Sequence, residues 1–338
     1  MKSVIVSGPG TNSWVDIECP EAGPKDVLLR MRACGVCGSD SLYTRVGGIP
    51  PRQGHTPLGH EPAAEVVEVG SQVAGVAVGD HVVVDSSALV DGLLGGGGAQ
   101  GGLSEYIVIK DAQLGRQFRI VPPDLPWEVA ALNEPMAVAL HGINRSGAKA
   151  GDKAVVFGAG PIGLGVTIGL KERGVSHVTV LDLIPRRLEV ALRVGADSVI
   201  DFGKEDVEAR IIELQGEGKN ALGGGGRAAT DVWFDAAGAP EVILTALNLA
   251  KARTVLTVLG VHKKPVEINF QKILNSEIDI RMSMAYPTEI FEVTDSIIAN
   301  VAKYGEIVSD LIPFERALHA LELGGDPQAT VKTVVVMD

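Results

Sequence analysis

Five side chains in the first part of this chain could hold a metal ion: Cys34, Cys37, His60, Glu61 and Glu134. Thiolate, imidazole and carboxylate together are the donor set of a catalytic zinc, which keeps one position open for water or substrate. Each residue also has a plainer reading when taken alone. Cys37 could be a small buried apolar residue, His60 a core histidine, and Glu134 a solvated acid at a helix start. Cys34-x-x-Cys37 could be a redox pair, but it lacks a thioredoxin-like βαβ context, and no second cysteine pair exists for a four-cysteine zinc. What favours the metal reading is the order of these residues ahead of a nucleotide-binding pattern.

That pattern is the turn Gly158-Ala159-Gly160-Pro161-Ile162-Gly163, which follows the apolar run Ala154–Phe157 and opens a helical stretch. Gly158 permits the tight turn, Gly160 lets the backbone approach a pyrophosphate, and Gly163 lets helix pack close on strand. Pro161 and Ile162 begin the helix, whose N-terminal N–H groups and dipole favour phosphate. A second apolar run, His177–Leu181, ends at Asp182, about 20 residues on, where an acid binds the adenosine ribose.

The elements that must carry these residues differ in texture. Up to about Arg145 the chain is rich in Gly, Pro and Val, with short runs such as Val27–Ala33, Ala64–Val69 and His81–Asp85 separated by turns. This predicts a compact β domain. From about Lys149 strands and helices alternate: strand Ala154–Phe157, helix Ile162–Arg173, strand His177–Leu181, helix Pro185–Val194. Strands Ser198–Ile200 and Val232–Ala236, helix Pro240–Leu249 and strand Thr254–Leu259 follow. That alternation predicts a doubly wound parallel sheet. After Pro287 come helices Glu289–Lys303 and Phe314–Leu323 and strand Thr330–Met337, expected to return to the first domain. The expected fold class is therefore α/β, with one domain over 1–146 and 287–338 and a dinucleotide-binding domain over 147–286. The tetraglycines Gly95–Gly98 and Gly223–Gly226 are expected to be flexible surface loops, because glycine runs cost ordering entropy and pack nothing. The run Lys204-Glu205-Asp206 reads as solvated surface.

Composition narrows the function. The 338 residues suffice for two domains and a sizeable core. A net charge of −12 disfavours nucleic acid or an acidic membrane surface as partner. No apolar run is long enough to span a membrane. Three cysteines are too few for a disulfide scaffold, and the N-terminus lacks a signal peptide's pattern, so a cytoplasmic protein is expected.

These motifs resemble the zinc-dependent medium-chain dehydrogenase/reductase superfamily over essentially the whole chain. The resemblance is carried by Cys34-Gly35-Val36-Cys37-Gly38-Ser39-Asp40, Leu58-Gly59-His60-Glu61, Val78-Gly79-Asp80-His81-Val82, Glu134-Pro135-Met136-Ala137-Val138-Ala139-Leu140-His141, the glycine turn, and Phe234-Asp235-Ala236-Ala237-Gly238. Glutamate at position 134 looks like the polyol branch. The resemblance implies a GroES-like catalytic domain, a Rossmann domain and a substrate cleft between them. It implies Cys37 and His60 as ligands of one catalytic zinc, Glu134 as a ligand directly or through water, and Glu61 beside the metal, exchanging with the open position. Ser39 would start the proton's exit. Arg187 would lie against the adenosine end of NAD, and Leu259 and Ser283 would approach the nicotinamide through their backbone. An acid at Asp182 would repel a ribose phosphate, which favours NAD over NADP. The implied activity is hydride transfer from a secondary alcohol, diol or polyol to NAD, giving a ketone or aldehyde, by a homodimer or homotetramer.

Three departures from the family pattern stand out. A structural zinc lobe is replaced by Ser86–Leu94 and tetraglycine, without cysteines. The proton-relay histidine of alcohol dehydrogenases is replaced by Leu42, for which Tyr43 or His55 could substitute. An arginine that holds polyols is replaced near Ala285 by the more apolar Met282–Tyr286. Two further readings fit the same fold: a zinc-free NADPH-dependent reductase, and a catalytically silent nucleotide-binding protein. The intact Cys37, His60, Glu134 and Asp182 argue against the first of these.

Overall fold

A computed structural model describes residues 1–338. The chain packs as two compact units, Met1–Glu134 with Ile290–Asp338, and Pro135–Glu289. The first crossing falls inside helix Asn133–Ser146, not at its end, where the change in sequence texture lies. Packing explains this. Gly165 and Gly169 of helix Pro161–Glu172 leave no room for a Cβ against Met136, Ala139 and Ile143, so the helix from Pro135 onward belongs with the second unit.

In the first unit a seven-stranded sheet runs in the order 310–313, 333–336, 27–35, 61–69, 81–84, 118–121, with 106–109 also paired to 27–35. Strand Val27–Gly35 is central. It is antiparallel to Glu61–Val69, with Gly35 opposite Glu61, and to Thr333–Val336, with Gly35 opposite Val334. Inward residues such as Leu29, Met31, Val66, Val82, Ile107 and Phe118 are fully or almost fully buried. Burial of aliphatic side chains at roughly 1.5–3 kcal/mol each holds the sheet together.

The second unit is a sheet of six parallel strands in the order 198–201, 177–182, 153–157, 232–235, 255–258, 279–282. Its four inner strands read as near-continuous apolar runs because helices cover such sheets on both faces. The strand order reverses between Lys153–Phe157 and Val232–Asp235, and ligands of such sheets bind beyond the carboxyl ends at that point. The expected doubly wound sheet is present, with two additions. Helix Val207–Gln215 is N-capped by Asp206, whose side chain accepts from Ala209 N at 3.2 Å, so part of the exposed 204–206 run also starts a helix. Strand Asp279–Met282 forms the sixth, outer strand. In the tail, helix Glu292–Ala299 breaks at Asn300 before a short helix Val301–Gly305. No helix is long and apolar enough to cross a membrane.

The two tetraglycines behave differently. Gly223–Gly226 is exposed at the tip of the small hairpin 217–218/227–228, as expected of a surface loop. Gly95–Gly98 is not a free loop. Leu94 is fully buried beside it, Gly95 and Gly98 are buried, and Gly95 N donates to Gln100 O at 2.9 Å. Gln100 in turn grips strand Tyr106–Ile109, exchanging bonds with Val108 N and O at 2.8 and 2.9 Å. Without side chains the glycines let backbone lie on backbone, which packs the lobe instead of loosening it.

Candidate active site

Within the first unit the ligand atoms of Cys37, His60 and Glu61 all lie within 4.8 Å of one another. Each comes from a different constraint. Cys37 precedes helix Gly38–Val46, and its N–H donates to the Asp40 carboxylate at 2.9 Å, closing the helix start. His60 follows Gly59, whose φ of +90° sets a turn that a side chain would rarely adopt. Glu61 begins the strand paired to Gly35. A Cβ on Gly35 would collide with the Glu61 carboxylate and come within 3.0 Å of Lys332 Cε, so glycine is required there.

Two charged residues that sequence reasoning did not single out complete the cluster. Asp40, with no exposure, faces His60 Nδ1 at 3.5 Å, so Nε2 is the ring nitrogen left for a metal to take. Lys332, only 3% exposed, lies against Glu61 Oε2 and donates to Val36 O at 2.8 Å. Burial works to lower the His60 pKa, but the charges of Asp40 and Cys37 outweigh it and hold it well above the ordinary value. Burial likewise disfavours the Lys332 ammonium, yet Glu61 and Cys37 keep it raised. The Glu134 carboxyl is pushed up to about 7 by burial, against the pull of His60 and with a further push from Glu61. Glu134 thus shares the field of this cluster, although it is not one of the three residues whose ligand atoms converge.

Other expected residues fall at different distances from this centre. Ser39 Oγ is 3.4 Å from His60 Nε2, beside the ligand atom. The Tyr43 ring packs on the apolar cluster that includes Cys34, Val36 and Leu58. Leu42 and His55 are exposed. Cys34 is fully buried, and burial pushes its thiol well up, followed by the charges of Asp40 and Glu61. It therefore serves the core, not a redox pair with Cys37.

The donor set suits one ion with bonds of roughly 2.0–2.3 Å to sulfur, nitrogen and oxygen. Glu61 Oε1 is buried with no hydrogen-bond partner, a costly state that a cation would relieve.

In the second unit the glycine turn is built from backbone. Gly158 has φ +97°, and its N–H donates to Leu181 O at 2.7 Å. A Cβ there would meet Ala236 backbone at 3.1 Å, and one on Gly163 would overlap Gly158 O. A Cβ on Gly160 would meet nothing nearer than Arg187 at 3.6 Å, so this glycine faces the space a phosphate needs. Pro161 opens helix Pro161–Glu172, with Ile162 next. The Asp182 carboxylate accepts from Ala159 N at 2.7 Å and Ile184 N at 2.9 Å, fixing it at the strand end beside the turn. Burial lowers the Arg187 pKa, with Asp182 opposing and Arg186 adding to the effect. Leu259 and Ser283 lie past the carboxyl ends of the adjoining strands, Leu259 N donating to Asp235 O at 2.9 Å and Ser283 N to Val258 O at 3.0 Å.

Two histidine–carboxylate pairs were not anticipated: His262 Nε2 with the buried Asp235 at 2.6 Å, and His141 Nδ1 with Glu289 at 2.9 Å. His141 stands in the quoted motif 134–141, but its partner is distant in sequence.

Residues 23–118 match the model of the alcohol dehydrogenase GroES-like domain, and residues 161–300 that of the zinc-binding dehydrogenases. The chain belongs to the zinc-dependent medium-chain dehydrogenase/reductase superfamily. Among relatives of this superfamily, it is 34% identical to the (R,R)-butanediol dehydrogenase of Bacillus subtilis, over 80% of each chain. It is 30% identical to human sorbitol dehydrogenase, covering 95% of this chain and 91% of that one. A structure described as a zinc-binding dehydrogenase of Sinorhizobium meliloti, bound to NADP, superposes with a TM-score of 0.86 at 27% identity, covering 99% and 98% of the two chains. The superfamily's GroES-like and Rossmann-type folds are those described above.

Proposed function

We propose that the protein is a zinc-dependent dehydrogenase that moves a hydride from a secondary alcohol, diol or polyol to NAD, giving a ketone or aldehyde. The observation that carries this reading is the convergence of Cys37, His60 and Glu61 in a chain of this superfamily. The butanediol and sorbitol dehydrogenase relatives support an alcohol or polyol as substrate class.

Cys37, His60 and Glu61 would hold the metal, with Glu134 able to join or replace Glu61. When bound, the metal supplies Lewis acidity toward an alcohol oxygen and the nicotinamide supplies the hydride acceptor. Asp40 keeps the imidazole turned so that Nε2 serves as ligand. Lys332 neutralises Glu61 and so sets how readily that carboxylate turns toward a cation. Ser39 Oγ, beside His60 Nε2, takes the hydroxyl proton first and passes it outward. Tyr43 is a candidate for a later proton step, its half-buried ring packed against the apolar cluster. Gly158, Gly160 and Gly163 admit the pyrophosphate, and the amide groups of Pro161–Glu172's first turn, Ile162 among them, are its donors. Asp182 receives the ribose hydroxyls and Arg187 lies against the adenosine; Leu259 and Ser283 approach the nicotinamide through their backbone.

NAD is proposed over NADP because a carboxylate at Asp182 repels a 2′-phosphate. A homo-oligomer is proposed as the working form. The outer strand Asp279–Met282 leaves a sheet edge open, with Met282 and Met284 exposed beside it. Light scattering in solution checks this, and a monomer would refute it. The activity test is initial rates on a panel of diols, polyols and simple secondary alcohols, with NAD and NADP in parallel. Alcohol-dependent reduction of NAD, faster than of NADP, is expected. Turnover only in the direction of NADPH oxidation on activated double bonds would point to a zinc-free reductase instead.

A further inference from the structure

The ligand His60 has two neighbours along the chain with different freedom. Glu61 is held by the ladder to Gly35. Gly59, on the other side, is in a left-handed turn and would be the adjustable end. That end is enclosed by the glycine lobe. Gly102 N donates to Gly59 O at 2.7 Å and Leu103 N to Leu58 O at 3.0 Å. A Cβ on Gly95 would overlap Gly59 C and O, and one on Gly101 would overlap Leu58 O. Ser86 Oγ donates to the carbonyl of His60 itself. A Cβ on Gly59 would in turn meet Leu103 N at 2.6 Å and Cys34 Sγ at 2.8 Å.

We propose that the lobe Ser86–Ser104 positions the metal ligand His60, with Gly95 acting through Gly59, Gly101 through Leu58 and Ser86 through the His60 carbonyl. The inference rests on the metal reading above. Its physical basis is direct backbone contact. Gly95 and Gly101 meet the turn backbone to backbone, with no side chain of their own to absorb a displacement, and packed interiors transmit strain. A methyl group at residue 95 must push Gly59 away, and His60 moves with it. In a site whose ligands converge on one ion, a small shift of one ligand is felt as lost affinity. The lobe thus has a task toward the catalytic centre, although it carries none of the cysteines of a structural zinc.

The test compares Gly95→Ala with Gly97→Ala. Gly97 lies in the same lobe with φ +104°, but its Cβ would meet Ile49 at 3.0 Å and Pro50 O at 3.2 Å, not the Gly59 turn. Both variants strain the lobe, so both are expected to lower the melting temperature. Only Gly95→Ala is expected to weaken zinc, by about tenfold or more in competition with a chromogenic chelator, as outer-shell changes do. Only it should shift the visible absorption of the cobalt(II)-substituted protein. Unchanged zinc affinity and cobalt spectrum in Gly95→Ala, or equal weakening in Gly97→Ala, overturns the proposal. If Gly95→Ala does not fold, Ser86→Ala decides, since it only removes the donor to His60 O. It should weaken zinc roughly threefold, and wild-type affinity would refute the idea. A wild-type chain that takes up no zinc defeats the metal reading itself.

Discussion

The metal cluster and the glycine turn are built in opposite ways. The cluster gathers side chains from separated segments: Cys37 and Asp40 at a helix start, His60 and Glu61 at a strand start, and Lys332 next to the last strand. Its energetics are those of buried charge. The turn lies within a single strand–helix crossover, and its contacts are backbone against backbone, with Asp182 as the main side chain. The lesson is that the first region should fail when a charge or ligand is removed, and the second when volume is added.

The largest expected effect is from Cys37→Ala. Losing one of the three proposed ligands should remove zinc and lower kcat by roughly a thousandfold, the rate equivalent of several kcal/mol of Lewis-acid stabilisation. NADH affinity, measured by fluorescence titration, should stay near wild type. Full turnover that resists chelation would break the contrast at once. Lys332→Met comes next, because it leaves Glu61 charged and unpaired in the interior. Breaking a buried pair costs roughly 3–5 kcal/mol, visible as a lower urea midpoint, and a stability equal to wild type would show that Glu61 does not need its partner.

Gly163→Val is the reciprocal experiment. Its Cβ overlaps Gly158 O, and overpacking costs about 1–3 kcal/mol. NADH binding should weaken by ten- to a hundredfold while zinc content stays at wild-type level. Parallel loss of both ligands would mean that the two regions are not separately built. Asp182→Asn should weaken NADH by about tenfold and leave NADPH unaffected or tighter, and an unchanged ratio of the two affinities would remove Asp182 from cofactor choice.

The smallest effect is a slope. The native Glu134 carboxyl, raised to about 7 from 4.5, keeps a proton that the unfolded chain has lost between those values. Stability of the metal-free protein should therefore fall as pH rises through that window. His60, raised well above 6.5, adds a further loss from 6.5 upward. Zinc uptake requires deprotonated ligands, so the loaded protein should lose this trend. Urea melts at several pH values, with and without chelator, check the sign; a metal-free protein that gains stability across the window would contradict it.

Much of this was legible in the sequence because it is local. The glycine turn with Asp182 and the alternating strands and helices of the second unit are each written in a short stretch with its own periodicity. The ligand candidates were legible as residue types in order, and His60 and Glu61 as neighbours. Lys332 was not, because a lysine just before an apolar terminal strand gains its meaning only when that strand's pairing with Val27–Gly35 sets it against Glu61. Asp40 stood in a quoted motif, but its role appears only when the helix start turns its carboxylate toward His60. The tetraglycine Gly95–Gly98 misled for a physical reason. Glycine permits both a loose loop and a close backbone approach, and composition does not say which. Tyr43 was placed near the reaction by family pattern alone; its half-buried ring packs against the apolar cluster around Cys34 and Leu58.

The central claim is that Cys37, His60 and Glu61 hold a zinc on which alcohol oxidation depends. The most direct test is zinc per chain by elemental analysis, alongside alcohol-dependent NADH formation before chelation, after it, and after zinc is restored. About one zinc per chain, with activity lost on chelation and regained on zinc addition, is the predicted result. Alcohol oxidation that proceeds undiminished in a metal-free protein would contradict it.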